Sequence, residues 1–455
     1  MATPWHTGTP ILPMKTSERE NPQVVVEAGI AKFPAGRLPD EARAIAKAAY
    51  GRKPTCAVYK IEPATPLDDV NALELSPGAT VLFRRGGVWR GQLRVQSGIP
   101  GHPIRYGAFG EGPAPVIQPS LDATDADGWR HIGGELWRFD TGLPTDIGNI
   151  IVSPAEAPDA AAWRRGCLFK RGSASELLQD GDFTFDPGSG AVILRSVSGS
   201  PASRWGEIEM ARKLNAIDEP CAHDIEYDGL AIRYAAAHGF GGGGVERIAI
   251  RDCDVSWIGG GYLYMDDLGN GVRYGNGIEF WGGAQDVAVE NCAVRQCWDA
   301  GITNQTNEPG SIQRRVAWRG NRVSECEYSY EFWHQGAGGI AEDVTLDGND
   351  FRDAGFGWGH AQRWNPNAAH LMFYDTTVPT PGFAIRGNVF GRSKNVTARL
   401  FNDWAGCAEF SGNRFADGAG WVCRRHGRPR SGLRYLYPDR LDRIHRDDEA
   451  EIETP

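Results

Sequence analysis

The feature that most limits what this chain can become is a short pattern that keeps returning in its C-terminal half. An apolar residue is followed by two others, then by Leu, Cys or Asn at a turn, then by one residue and a second apolar one. The turn position is held in order by Leu230, Cys253, Cys292, Asn321, Asn349, Asn388 and Asn413, at intervals of 23, 39, 29, 28, 39 and 25 residues. A minimum near two dozen residues is the length of one coil of a right-handed parallel β-helix, in which three short strands and their turns stack like positions on like. Inward apolar residues then form one continuous core, and a turn Asn tolerates left-handed geometry and hydrogen-bonds along the stack. Cys253 and Cys292 occupy that position in adjacent coils and are read as reduced, stacked core residues. A leucine-rich repeat has a similar period, but its LxxLxL signature and helical segments are absent. The expected fold is therefore all-β.

The 59 Gly and 28 Pro mark a turn-rich chain, and 41% hydrophobic residues suffice for a core. Residues 1–37 show no period and read as an arm. Pro39 to Tyr50 predicts a helix, with Pro at its start, acids in the first turn and Ala beyond. Such a helix would cap the open end of the β-helix and cover its unpaired strand edges. Residues 1–54 are thus expected to be arm and capping helix, and 55–127 the first coils. Between 128 and 212 the rhythm breaks into hairpin-like strands, of which DFTFDPGSGAVILRS (Asp182–Ser196) is the clearest, and this stretch reads as a small inserted β module. Residues 213–418 form the main β-helix, and 419–455 an Arg-rich charged tail or C-terminal cap.

A net charge of -10 argues against a nucleic-acid partner, because no broad basic surface is available. No apolar run approaches the length of a membrane span. Met1 to Pro10 lack the charged and apolar regions of a leader, so the chain is expected in the cytoplasm unless a leader has been removed, and secreted or periplasmic if one has. The spacing of the nine Cys fits neither a disulfide framework nor a zinc site, so no metal is expected from them. The sequence carries no signal of oligomeric state.

Intervals longer than one coil must leave the stack as loops, here 256–283, 298–314, 328–342 and 352–381. These segments are dense in Trp, Tyr and titratable residues, a mixture that suits sugars, whose C–H faces stack on aromatic rings while hydroxyls bond to acids and amides. Counting from the turn residue places DAGITNQ (299–305), YSYEFWH (328–334) and FGWGHAQR (356–363) one above another, about 5 Å apart per coil. Asp299 and Glu331 then flank one bond from adjacent coils. A carboxylate pair about 5–9 Å apart is what glycoside hydrolysis needs, one group protonating the leaving oxygen and the other attacking or activating water. His360 is placed to tune or share a proton, and Glu279 is the third candidate acid. Arg363 and Gln305 are candidates for a substrate carboxylate or hydroxyl. Tyr330, Trp333, His334, Trp358, Gln362 and His370 complete the expected lining. The plainer alternatives are a rim ion pair for Glu331, a turn role for Asp299 and loop hydrogen bonds for the two His.

The stretch PGATVLFRRGGVWRGQLRVQSGIPGHPIRYGAFGEGPAPVI (Pro77–Ile117) resembles the opening of bacterial right-handed β-helix carbohydrate-active proteins. With the module ending DFTFDPGSGAVILRS and GEIEM, the chain is similar over about residues 60–418 to β-helix glycoside hydrolases of the β-xylosidase and fucosidase-like kind, which carry an inserted β-sandwich. The resemblance implies catalytic Asp and Glu on successive coils, which fall on Asp299 and Glu331, with a poly- or oligosaccharide as substrate and no cofactor. The pectate-lyase-like branch shares the fold and implies a different reaction. There His360 or Tyr330 would remove the C5 proton of a uronate, Arg363 would steady its carboxylate, and calcium would often assist. A third reading is a non-catalytic carbohydrate-binding or adhesion β-helix. Fold alone does not choose among the three.

Overall fold

The computed structural model describes residues 51–153, 166–265, 271–374, 376–400 and 409–415 in full, and the backbone of strand residues 24–26, 154, 401, 408, 421–425 and 433–436. The expected helix at Pro39–Tyr50 and most of the 419–455 tail lie outside the described residues.

The chain winds as a parallel β-helix with three parallel sheets. The first sheet begins Val58–Ile61, Thr80–Arg84, Ile104–Phe109 and His223–Asp228, and ends with Phe383–Arg386 and Ala408–Ser411. The second runs from Val88–Arg90 and Val116–Gln118 through Asp254–Ile258 to Arg414–Phe415. The third contains Ile217–Pro220, Ala300–Thr306, Tyr328–His334, Ala369–Phe373 and Val396–Phe401. Phe240–Arg251 and Ile278–Glu290 are long enough to serve the third sheet with their first halves and the first sheet with their second halves. The third sheet continues to Trp421–Arg425, against which Leu433–Leu436 lies antiparallel.

Stacking explains the residue types. In the first sheet Ile225, Ile248, Val287, Val316 and Val344 form one inward column across five coils, each at most 2% exposed. Burying each such side chain contributes about 1.5–3 kcal/mol. The Asn column is a hydrogen-bonded ladder. Asn349 Oδ1 accepts from the backbone N of Asn321 at 3.0 Å, and Asn388 Oδ1 accepts from that of Asn349 at 2.9 Å. Each Nδ2 also reaches a strand carbonyl in the neighbouring coil, Asn349 Nδ2 to Trp318 O at 3.0 Å and Asn388 Nδ2 to Leu346 O at 3.0 Å. The ladder ends on the N–H of Cys292, which donates to Asn321 Oδ1 at 2.9 Å. One expectation needs correction. The left-handed residue is not the ladder Asn but the one before it, Asp252 (φ 51°), Asn291 (57°), Gly320 (61°) or Gly348 (63°). That residue makes the bend, leaving the Asn amide free to point along the stack.

Cys253 and Cys292 are 2% and 1% exposed, and Cys297 and Cys326 make a second enclosed pair one turn further along. A hydrogen bond from Cys292, reinforced by burial, pushes the Cys253 thiol well above its ordinary pKa. We therefore expect iodoacetamide to label Cys56, which is exposed, and to leave these four untouched until the protein is denatured. Rapid native labelling of Cys253 or Cys292, read by peptide mass spectrometry, would contradict the stacking register of these coils.

Between the second-sheet strand Val116–Gln118 and the third-sheet strand Ile217–Pro220 the chain leaves the stack. Residues 129–195 supply a five-stranded sheet, and Ser120–Asp122, Ile147–Pro154 and Trp205–Arg212 a three-stranded one. Trp129, Phe183, Leu194, Ile208 and Met210 pack between them as a separate core. In the hairpin at DPGSG, Asp186 Oδ1 accepts from Gly188 N at 3.0 Å. This two-sheet unit is fastened to the coils by buried polar contacts. Tyr262 N donates to Asp146 Oδ2 at 2.8 Å, Asn149 Nδ2 donates to Gly259 O at 2.6 Å, and Arg273 Nη2 donates to Gly148 O at 2.8 Å. A short helix, Leu67–Asn71, also interrupts the first coils, where the sequence suggests strands and turns alone.

Candidate active site

The third sheet sorts its residues by parity. Ile278, Ile302, Tyr330 and Leu371 align in one inward column, and Phe280, Asn304, Phe332 and Phe373 in the next. The residues between them face out. Glu279, Thr303, Glu331, Met372 and Arg399 are therefore in register on the outward face of the sheet, where the first four are nevertheless buried, and Trp281, Gln305 and Trp333 beside them. Glu279 and Glu331 are separated by two ladder steps, roughly 9–10 Å of backbone. Asp299 immediately precedes the strand of Thr303, in the coil between those of the two Glu, so three successive coils each supply one carboxylate.

The surroundings divide the three acids. Burial pushes the pKa of Glu331 well above the carboxylate range, and the charges of Asp299 and Glu279 push it further. Burial also raises Glu279, but His238 and hydrogen bonds from Asn276 and Gln305 outweigh it and hold this group below its ordinary value. His238 Nδ1 lies 2.9 Å from Glu279 Oε2, and Asn276 Nδ2 donates to the same oxygen at 2.5 Å. Asp299 is raised by burial, which outweighs Arg363, whose Nη2 donates to Asp299 Oδ1 at 2.7 Å. One carboxyl thus tends to hold its proton while a second stays ionised, the division that lets neighbouring acids take different roles.

Aromatic rings frame the acids. Trp281 and Trp333 meet edge to face with centroids 5.4 Å apart. Trp364, next to Arg363, is 75% exposed. Beyond Glu331, the Tyr328 hydroxyl donates to Asn367 Oδ1 at 2.5 Å. Burial raises the Tyr374 hydroxyl well above its ordinary value, and the charge of Glu331 adds to that. The arrangement offers a proton donor, an ionised acceptor and stacking surfaces on one face.

Several expected site residues stand elsewhere. FGWGHAQR does not stack on YSYEFWH; the strand that does is Ala369–Phe373, and residues 358–362 form a short helix outside the stack. A turn-to-turn count misses this because the excursion precedes the strand instead of following it. Likewise, much of the supposed loops 298–314 and 328–342 is third-sheet strand. Tyr330 points inward, fully buried, its hydroxyl bonded to Asn304 Oδ1 at 2.8 Å, so it is unavailable as a base or a sugar contact. His334 and His370 are also fully buried. His334 Nε2 meets Ser311 Oγ at 2.7 Å, while His370 lies between Ser329 Oγ at 2.9 Å and Gly391 O at 3.0 Å. Burial lowers each imidazole to a pKa of about 4. Neither one touches the groove. Trp358 packs against Trp298 and Cys167, and Gln362 bonds to Leu168 O at 2.9 Å and Arg273 Nη1 at 3.0 Å. Both are braces to the two-sheet unit and not lining.

His360 is engaged as well. Its Nδ1 lies 2.9 Å from Glu327 Oε2, and Glu327 is a fully buried carboxylate that also accepts from Asn367 N at 2.7 Å. His360, Glu327, Arg363 and Asp299 therefore form one chain of polar contacts behind the acids. Glu327 and His238 escape a reading of the sequence alone. Glu327 has a signal, since it precedes Tyr328 as Asp299 precedes Ala300, and those two strands are in register. His238 has none, because a lone His before a Gly-rich run says nothing about which coil it faces. Among the described residues, no group of three or more His, Cys, Asp or Glu is arranged to hold a metal ion.

The chain matches no protein-family profile and no characterised protein in sequence. Among solved structures it is similar to XylC in complex with xylose, at 9% identity and TM-score 0.47, over 83% of this chain and 73% of that one. It is similar also to the family 28 exopolygalacturonase of Yersinia enterocolitica, at 12% identity and TM-score 0.39, over 80% and 72%. A third likeness is to PfbA, a surface adhesin of Streptococcus pneumoniae, at 8% identity and TM-score 0.25, over 87% and 95%. The strand pairings define the class by themselves: this is a parallel β-helix.

Proposed function

We propose that the protein is a carbohydrate-active enzyme, and specifically a glycoside hydrolase acting in the groove on the third sheet. The observation that carries this reading is the pairing of a proton-retaining Glu331 with an ionised Glu279 on one face, two coils apart, beside Trp281 and Trp333. Glu331 donates its proton to the glycosidic oxygen as the bond from the anomeric carbon breaks. Glu279 takes a proton from the water that attacks that carbon from the opposite side. Placing the two acids two coils apart leaves room for a water on the far side of the sugar ring, the arrangement an inverting hydrolase needs. Burial does most to keep Glu331 protonated, and Asp299, held by Arg363, adds to it. With three carboxylates converging and Arg363 engaged by one of them, a neutral sugar is the better occupant of the cleavage subsite.

Incubation with neutral polysaccharides and with uronate polymers tests this reading. New reducing ends without the ultraviolet absorbance of an unsaturated sugar are expected. A rise in that absorbance means elimination and overturns the hydrolase. Binding without cleavage of any glycan favours an adhesion role.

A further inference from the structure

A cavity of about 550 Å3 lies between the two-sheet unit and the first coils, lined in part by Asp68, Val88, Glu207, Glu209, Arg233 and Tyr234. Its volume is that of a small-molecule site. The three-stranded sheet separates it from the acid groove. One edge strand, Ile147–Pro154, abuts the loops at Gly259 and Arg273 that lead to Asp299, whereas the other edge, Ser120–Asp122, borders the cavity floor.

The floor of the cavity is saturated. Glu209 is held by Arg90 through both oxygens, at 2.6 and 2.7 Å, by Ser120 Oγ at 2.7 Å and by Gln118 Nε2 at 3.2 Å. With its lone pairs so occupied, it is not available for proton transfer, and nothing in this cavity repeats the divided acids of the groove. Arg233 is different. Its side chain makes no hydrogen bond or ion pair with the described residues, and its Nε is enclosed without an acceptor. A buried guanidinium N–H left unbonded costs free energy, and native proteins rarely leave one so unless a ligand or water supplies the acceptor. Arg233 shares the cavity lining with acceptors in excess, the exposed Asp68 and Glu207 and the Tyr234 hydroxyl, and with the half-exposed Val88. An anionic ligand would meet those carboxylates. A neutral ring bearing several hydroxyls can accept from Arg233, donate to Asp68 and Glu207, and lay its C–H face on Val88.

We infer that this cavity is a second, non-catalytic binding site for a neutral, hydroxyl-rich sugar unit, on the far side of the inserted unit from the acid groove. The inference rests on the carbohydrate reading and extends it: a polymer would be gripped at two places and cut at one.

Native electrophoresis of the full chain through gels containing neutral xylan, galactan or mannan, or polygalacturonate, tests this, with Glu331→Gln as background so that the polymer survives. Retardation by at least one neutral polymer is expected, and Arg233→Met should weaken it about ten-fold, the loss of one or two charge-assisted hydrogen bonds. Asp68→Asn should weaken it in the same direction. Arg233→Met in the otherwise unaltered protein should leave kcat/KM on a short soluble oligosaccharide unchanged and should not lower the melting temperature. Undiminished retardation of both variants overturns the second site while leaving the hydrolase intact. Loss confined to polygalacturonate overturns the neutral-sugar assignment. If no polymer retards the protein and none is cleaved, the carbohydrate reading fails and takes this inference with it.

Discussion

Glu331→Gln should lower kcat by roughly 10²–10⁴, the usual contribution of a positioned proton donor, with KM little changed. Glu279→Gln should cause a loss of similar size by removing the base. Steady-state rates on the best glycan check both. The pH dependence separates the roles. Because the folded-state pKa of Glu331 is raised, first by burial and then by Asp299 and Glu279, its proton is held to higher pH than that of an ordinary carboxyl, and activity should fall as pH rises through that pKa. The acidic limb belongs to Glu279, whose pKa is lowered and which must stay ionised. Asp299→Asn removes a negative charge beside Glu331, so the alkaline limb should move to lower pH, with a smaller loss of kcat than either Glu variant. An alkaline limb that stays in place in Asp299→Asn would break the proposed coupling. Stability gives an independent check. A carboxyl whose pKa is raised on folding costs the native state stability as pH rises from the unfolded pKa through the folded one, since the unfolded chain ionises it first. Glu331→Gln removes that cost, so its melting temperature should equal that of the unmodified protein at low pH and exceed it at high pH. An enzyme that gains stability when it loses an acid has that acid held in a strained electrostatic position for use.

Asn349→Leu should destabilise the fold by about 3–5 kcal/mol, through groups left unbonded rather than through lost volume. Asn349 is fully buried, and its amide serves four partners: the backbone N and Nδ2 of Asn321, Trp318 O and Asn388 Oδ1. Leu fits the position sterically, since Leu230 holds it in an earlier coil. In mid-ladder, however, it strands the Asn321 N–H and the Trp318 carbonyl in the interior. Each coil touches only its neighbours, so the damage should also divide the unfolding transition at that coil. Chemical denaturation followed by circular dichroism and by Trp fluorescence would show the lower midpoint and any separation of the two probes. A midpoint within about 1 kcal/mol of the unmodified protein would mean that the ladder adds little beyond the apolar columns.

The repeat is legible because it is local. A bend, a ladder residue and a flanking apolar pair recur within six residues, and a stack of coils forces the same residue types at the same place, so Asn321, Asn349 and Asn388 announce the fold without any long-range knowledge. The aromatic density around Glu279, Asp299 and Glu331 is legible for the same reason, as is the hairpin at DPGSG. The alignment of the site is not. In a strand, a shift of one residue exchanges outside for inside, so Glu331 and Trp333 face the groove while Tyr330 and His334, their immediate neighbours, are enclosed. Counting from the turn cannot detect where an excursion is inserted, and the 353–368 excursion displaces FGWGHAQR from the stack and puts Ala369–Phe373 in its place. Nor does any spacing reveal that His360 is bonded to Glu327, that Glu279 is ionised by His238 from the preceding coil, or that Trp358 and Gln362 brace a unit about two hundred residues earlier in the chain. The repeating columns follow from nearest-neighbour contacts between coils, which the sequence spells out. The proton affinities of the three acids follow from burial and from charges brought together across coils, and these exist only once the chain has wound.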